Sequence, residues 1–203
     1  MRKRKLPNRR RRTVRYGLLL AAVVALASAG RFYCFLPSQA AAAAADEQNV
    51  EHGRVVVRAD APDLAPGQGR RLYLTQGDGA MLLCVVGFGP GSGWSSGIYA
   101  AAGTWDGSGL YAGVLQSANT ERTYLFGRVD DPAVTALTVR AGTADGGTWT
   151  RGLMPSWRER DGVRYFVEPL DGAPLAENGA GGYEVSDAAG GRTVKVRQEY
   201  CWY

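Results

Sequence analysis

Short apolar segments separated by turn residues make up most of the chain from residue 53 onward. Several of them alternate apolar and polar residues, as TVKVRQEY does at 193–200, and this period-2 pattern is typical of half-buried strands. The region has no sustained apolar stripe with the 3.6-residue period of a helix. The pattern predicts strands over residues 54–59, 71–76, 80–88, 97–102, 110–115, 123–129, 134–140, 148–153, 163–167, 182–185 and 193–200.

Asp-Gly pairs lie close to these predicted strands. They occur at 78–79, 106–107, 145–146, 161–162 and 171–172. The pair supplies residues that tolerate positive φ, which tight hairpin turns require. Residues 46–203 are therefore expected to form an all-β body, an antiparallel β-sandwich. We expect one compact body, with a possible sub-boundary near 119–121, because about 66 residues would make a small first domain.

The N-terminus has a different pattern, that of an export element. Nine cations within residues 1–15 precede the uncharged stretch YGLLLAAVVALASAG at 16–30, which predicts a hydrophobic helix. A basic region, an apolar core and a small-residue site form a signal-peptide pattern, and both Ala27-Ser28-Ala29 and Ser38-Gln39-Ala40 fit a cleavage site. The alternative is an uncleaved anchor in which residues 16–36 contact the membrane, with the N-terminus inside. In either case the body is extracytoplasmic, secreted or membrane-anchored, and the Ala-rich end of residues 1–45 is predicted to be a spacer.

The charge distribution changes the meaning of the basic isoelectric point. The chain has a net charge of +5, but ten of its 24 cations precede residue 46 and all 19 acids lie within residues 46–203, which therefore carry −5. An acidic body with scattered cations repels a polyphosphate. We therefore expect no nucleic-acid partner.

The C-terminal half resembles a known class of module. The segment YLFGRVDDPAV at 124–134 is followed by ALTV at 136–139 and later by GYEVSDAAG at 182–190. Across residues 122–198 this sequence is similar to the immunoglobulin-like modules of exported bacterial proteins. The resemblance implies a two-sheet sandwich that is usually non-catalytic and serves as a spacer or a binding unit.

Two cysteines are candidates for a disulfide bond. Cys84 lies inside the apolar run MLLCVV, and Cys201 follows the last predicted strand. Cysteines in an exported protein favour pairing, so Cys84–Cys201 is the predicted bond. The alternative is two unrelated cysteines, one of them a small buried apolar residue. Cys34 is left over beside the hydrophobic segment.

The glycine-rich stretch GFGPGSGWSSG at 87–97 is predicted to be a surface loop. In a functional interpretation it presents Trp94 beside Trp105, with Trp149 and Trp157 on the same surface. Exposed tryptophan rings stack on sugars or peptides and bury a large area for each residue. The four tryptophans are the speculative ligand-binding residues, although packing in the core or at its rim is the more common role of such residues.

The chain offers few groups for catalysis. His52, the only histidine, lies beside the predicted spacer, and the three cysteines are dispersed, so neither a nucleophile–base pair nor a zinc site is expected. Glu168 and the pair Asp130-Asp131 are the first acids to test for glycan hydrolysis. We assign no catalytic residue, metal or cofactor.

The resulting hypothesis is a non-catalytic exported protein that acts as an interaction module of the cell envelope, with a glycan or a protein as partner. The alternative is an envelope carbohydrate-binding protein or a glycan hydrolase. A flat row of exposed tryptophans would favour glycan binding, and a buried cluster of acids in a cleft would favour hydrolysis.

Overall fold

The computed structural model describes residues 9–32, 34–60, 70–90, 93–103, 107–117, 122–174, 182–189, 191–196 and 199–200. Two helices precede the strands, α1 (Arg9–Phe32) and α2 (Pro37–Glu47). The strands are β1 (Arg54–Asp60), β2 (Arg71–Gln76), β3 (Met81–Gly89), β4 (Gly93–Ala102), β5 (Leu110–Ser117), β6 (Arg122–Val129), β7 (Leu137–Gly142), β8 (Thr148–Leu153), β9 (Arg158–Arg160), β10 (Val163–Pro169), β11 (Tyr183–Asp187), β12 (Thr193–Val196) and β13 (Glu199–Tyr200). The body is therefore mostly β, which confirms the all-β prediction at this level.

The strands form three sheets. The first has the order β1-β2-β3-β4, the second β13-β5-β6-β10-β9 and the third β12-β11-β7-β8. Neighbouring strands are antiparallel except for β13, which pairs parallel with β5. The possible sub-boundary near 119–121 lies outside the described residues, but the flanking strands β5 and β6 pair with each other from Leu110 to Val129.

Two apolar cores lie on the two faces of the second sheet. On one face, Tyr111, Phe126 and Tyr165 share a core with side chains of the first sheet, such as Leu74 and Leu83. The other face shares a core with the third sheet, in which the largest buried side chains include those of Leu125, Phe166 and Tyr183. Because β5 and β6 are covered on both faces, residues 110–115 and 124–127 are all aliphatic, aromatic or glycine.

The Ala-rich segment packs against the body instead of separating it from the N-terminus. Ala40, Ala41, Ala44 and Ala45 of α2 are buried in a third core, together with Tyr73, Leu82, Cys84 and Val86 of the first sheet. The prediction of a spacer over these residues is therefore wrong. Six alanines make a weak isolated helix, but their small side chains let α2 approach the sheet closely, and tertiary packing stabilises it.

From Val14 to Leu26, the apolar side chains of helix α1 are exposed. No helix within the described part of the chain is both long enough and apolar enough to cross a membrane.

The glycine-rich stretch at 87–97 is a hairpin and not the predicted long loop. Strands β3 and β4 pair as far as Gly89 opposite Gly93, so Phe88 and Trp94 face each other across the sheet. Glycines allow the strands to continue here with little side-chain volume, although so many glycines in one stretch are more typical of a loop. The short strand β9 was also not predicted, because RER has no apolar residue.

The described Asp-Gly pairs lie at turns next to strands. Pairs 78–79, 145–146 and 161–162 connect hairpins, and Gly146, Gly162 and Gly172 have positive φ. Gly107 also has positive φ. It lies between β4 of the first sheet and β5 of the second, so it does not belong to a hairpin turn. The positive φ at both Asp161 and Gly162 explains why this pair suits the two-residue turn between β9 and β10.

Candidate functional site

Acidic residues from two separate stretches of sequence meet at one end of the third sheet. Asp130 and Asp131 begin the connection from β6 to β7, and Asp187 ends β11. A backbone hydrogen bond from Ala188 N–H to the Ala136 carbonyl, at 3.0 Å, joins the two stretches. These are the segments that carried the resemblance in the sequence.

Asp131 is held by three hydrogen-bonded groups. Its Oδ1 accepts from the Ala133 N–H at 2.8 Å, and its Oδ2 accepts from the Arg192 guanidinium at 2.6 Å. Its backbone carbonyl accepts from Arg164 Nη2 at 2.5 Å, and the same nitrogen donates to the Val134 carbonyl at 2.6 Å. The carboxylate and its carbonyl together fix the shape of the connection.

Asp187 organises the turn between β11 and β12. Its Oδ1 accepts from the Gly191 N–H at 2.8 Å, and its backbone N–H donates to the Arg192 carbonyl at 3.1 Å. The residue is 7% exposed. Asp187 therefore positions the arginine that reaches Asp131. Sequence reasoning did not identify Arg192, and the signal available was only the turn that followed β11.

A pocket of about 540 Å³ opens between the two stretches. Asp131, Asp187 and Arg192 are its charged lining residues. Small side chains form most of the remaining wall, namely those of Ala133, Val134, Thr135, Ala136, Ala188 and Ala189. The pocket therefore combines two carboxylates and one guanidinium with short side chains.

The electrostatics of the pocket favour fixed charges. The Ala133 N–H and then the Arg192 guanidinium hold the pKa of Asp131 below its ordinary value. The Asp131 carboxylate in turn raises the pKa of Arg192. A general acid or base needs a pKa near the working pH, and both shifts move the pKa of these groups away from neutrality.

The other acids considered for hydrolysis also have structural partners. Asp130 forms an ion pair with Arg128, at 2.5 Å between Oδ1 and Nε. Glu168 accepts a hydrogen bond from the backbone N–H of Ser156. His52 contacts Asp78 at 2.8 Å on an exposed surface. Among the residues that the structure describes, no three His, Cys, Asp or Glu side chains are grouped so that they could hold a metal ion.

The structure separates the tryptophans predicted to share a surface. Trp94 packs at the edge of the core between α2 and the first sheet. Trp149 and Trp157 pack at the edge of the core between the second and third sheets, where Trp157 meets the Phe166 ring edge-on with centroids 5.5 Å apart. Trp105 lies outside the described residues. Partial burial of the three described rings reflects packing at the rims of two different cores.

Cys84 is a fully buried cysteine of β3 that forms no disulfide bond with another described residue. Burial raises the pKa of its thiol to about 12. Cys201 lies outside the described residues, so the bond between Cys84 and Cys201 stays a prediction. Cys34 is half-buried, and its carbonyl accepts a hydrogen bond from the Trp94 N–H at 2.9 Å.

Comparisons of the chain with protein-family models, with curated proteins and with solved structures returned no match. The resemblance to immunoglobulin-like modules consequently remains a prediction that rests on the sequence segments alone.

Proposed function

We propose that this chain is an exported, non-catalytic β-sandwich protein that acts as an interaction module of the cell envelope, and that the pocket beside Asp131 and Arg192 contacts its partner. The proposal of a sandwich is supported by the two cores, one on each face of the second sheet. Its immunoglobulin-like part would combine the second and third sheets, which contain the resembling segments.

One observation carries the non-catalytic part of the proposal. The acids that the sequence offers for hydrolysis are engaged in contacts that shape loops, since Asp131 binds Arg192 and Ala133, and Glu168 binds the Ser156 backbone. A hydrolase needs one carboxyl group free to donate a proton and another free to act as nucleophile or base. The alternative of a glycan-binding surface is less well supported because Trp94 lies in a different core from Trp149 and Trp157.

The export component is tested with a reporter enzyme fused after residue 50. We expect activity on the outer side of the membrane only, because nine cations precede Tyr16 and favour a cytoplasmic N-terminus. A reporter that is active in the cytosol would remove the export part of the proposal.

The packing of α2 bears on which cleavage site yields a stable body. Cleavage after Ala40 would place a charged amino group on Ala41, which is 0% exposed, and burial of an unpaired charge is costly. Cleavage after Ala29 leaves α2 whole. We therefore expect mass spectrometry of a processed protein to find Gly30 at the N-terminus, and a mature protein that begins at Ala41 would contradict this expectation.

The interaction component is tested by a photo-crosslinking amino acid at Thr135, an exposed residue of the pocket wall, in cells that produce the full chain. The same probe at Thr150, exposed on β8, is the matched control. We expect a light-dependent adduct with an envelope component at position 135 and none at 150. Equal labelling at both positions, or loss of a glycan-hydrolysing activity in a folded Glu168→Gln variant, would overturn the proposal.

A further inference from the structure

Helix α2 covers only part of the outer face of the first sheet. It packs over Leu82, Cys84 and Val86, with Trp94 at the edge of this core, and leaves the neighbouring Phe88 ring uncovered at the end of the sheet. The two rings meet edge-on with centroids 5.5 Å apart, and Phe88 is 50% exposed. An apolar surface therefore remains open at this end.

Two further apolar side chains belong to the same surface. The hydrogen bond from Trp94 N–H to the Cys34 carbonyl brings the following residues, Phe35 and Leu36, beside the hairpin, and both are about half exposed. We call Phe35, Leu36, Phe88 and Trp94 the hairpin patch. Among the described residues, the exposed large hydrophobic side chains lie on α1 or in this patch, with the exception of Met154.

A cationic group borders the hairpin patch. The Arg71 guanidinium lies 5.8 Å from the centroid of the Trp94 ring and 3.9 Å from Asp60 Oδ1, and its side chain is half exposed. A tryptophan ring with an arginine at its rim is a combination that membrane–water interfaces favour, because the ring enters the headgroup region while the cation reaches the phosphates.

The position of the patch in the chain indicates which partner it meets. Its first residues follow directly on α1, whose apolar segment is exposed and whose basic start marks the export element. A chain that is exported through this segment brings the hairpin patch to the lipid surface first. We propose that the hairpin patch docks on the surface of an anionic lipid bilayer and holds the first sheet against it. This inference rests on the proposed export of the chain.

The test uses the full chain reconstituted into vesicles of phosphatidylcholine mixed with phosphatidylglycerol, with a photo-crosslinking amino acid at one position at a time. Positions 88 and 36 probe the patch. Two positions are used so that the test stays decisive if one variant does not fold. Exposed positions 51 and 154 are the controls, because they belong to the same chain and lie outside the patch. The patch lies at the start of α2 and Glu51 lies beyond its end. The helix of 11 residues between them is about 16 Å long.

We expect phospholipid adducts at positions 88 and 36 and few at 51 and 154. The contribution of charge is tested with Arg71→Gln, which should lower the adduct yield by up to about fivefold. Arg140→Gln is a matched change on the outer face of the third sheet and should leave the yield unchanged. Equal adducts at all positions, adducts to protein at position 88, or no loss with Arg71→Gln would overturn the proposal. These assays need no export, so a failure of lipid docking is distinct from a failure of the reporter test.

Discussion

The second and third sheets differ in how many of their faces are covered. Strand β6 buries five consecutive residues from Thr123 to Gly127, whereas β7 and β11 bury every second residue. The second sheet has an apolar core on each face, and the third sheet has one core and one polar face. The same antiparallel pairing therefore accepts a continuous apolar sequence or an alternating one, depending on what packs against the sheet.

Glycines show the same difference at atomic scale. A Cβ on Gly127 of β6 would lie 2.3 Å from the Tyr111 carbonyl oxygen and 2.5 Å from the Phe166 ring. A Cβ on Gly152 of β8 would have no atom within 4 Å. Glycine in the central sheet thus makes room for an aromatic ring, and glycine in the outer sheet faces open space.

The largest expected effect comes from adding one methyl group to the central sheet. Gly127→Ala should lower the free energy of unfolding by about 3 kcal/mol, because neither the Tyr111 backbone nor the buried Phe166 ring has space to move away. Denaturant unfolding monitored by circular dichroism measures this effect. The matched control Gly152→Ala should change stability by no more than about 0.5 kcal/mol. Similar values for the two variants would contradict the two-core arrangement.

A smaller effect is expected from hairpin turns, and it should be the same in both sheets. Gly162 turns from β9 to β10 in the second sheet, and Gly146 turns from β7 to β8 in the third. Both have positive φ and open space around the Cβ position, so a valine there is strained by its backbone conformation alone. Gly162→Val and Gly146→Val should each cost about 1–2 kcal/mol in thermal unfolding. A much larger loss in the second sheet would show that burial also affects its turns.

The smallest expected effect concerns pH. The lowered pKa of Asp131 means that its contribution to stability is present above the pKa of the unfolded chain and disappears as pH falls through the lower folded-state pKa. Melting temperatures measured from neutral pH to below about pH 4 should therefore fall less steeply for Asp131→Asn than for the wild type. Asp171→Asn, whose carboxylate pairs with Arg122 on an exposed surface, is the comparison variant. Parallel pH profiles for wild type and Asp131→Asn would show that the pocket carboxylate is not held as the structure indicates.

Much of the strand content follows from local sequence. The predicted strands at 71–76 and 148–153 coincide with β2 and β8, because alternating or β-branched residues are bounded there by Gly and Asp. The glycine-rich hairpin at 87–97 and the docking of α2 were not predicted. In both cases small residues allowed two elements to approach closely, and composition alone does not show whether another element lies beside them.

The candidate site was predictable only in part. The sequence singled out Asp130 and Asp131. Asp130 pairs locally with Arg128, but the pairing of Asp131 with Arg192 depends on the turn built by Asp187. The tryptophans were expected together because their spacing suggested neighbouring loops. The structure places Trp94 at the edge of the core between α2 and the first sheet, and Trp149 and Trp157 at the edge of the core between the second and third sheets. The tryptophans are separated because the strands that carry or adjoin them belong to different sheets.

The sequence by itself determined the β-rich character of the body, most of its strands and the turns at Asp-Gly pairs, because these depend on side-chain alternation and on backbone conformations within a few residues. Tertiary structure alone decided that the strands divide into three sheets, that α2 covers the first sheet and that Asp131 meets Arg192 from 61 positions further along the chain. Those contacts form between residues distant in sequence. They are selected by the total apolar surface that packing removes from water, which no local pattern contains.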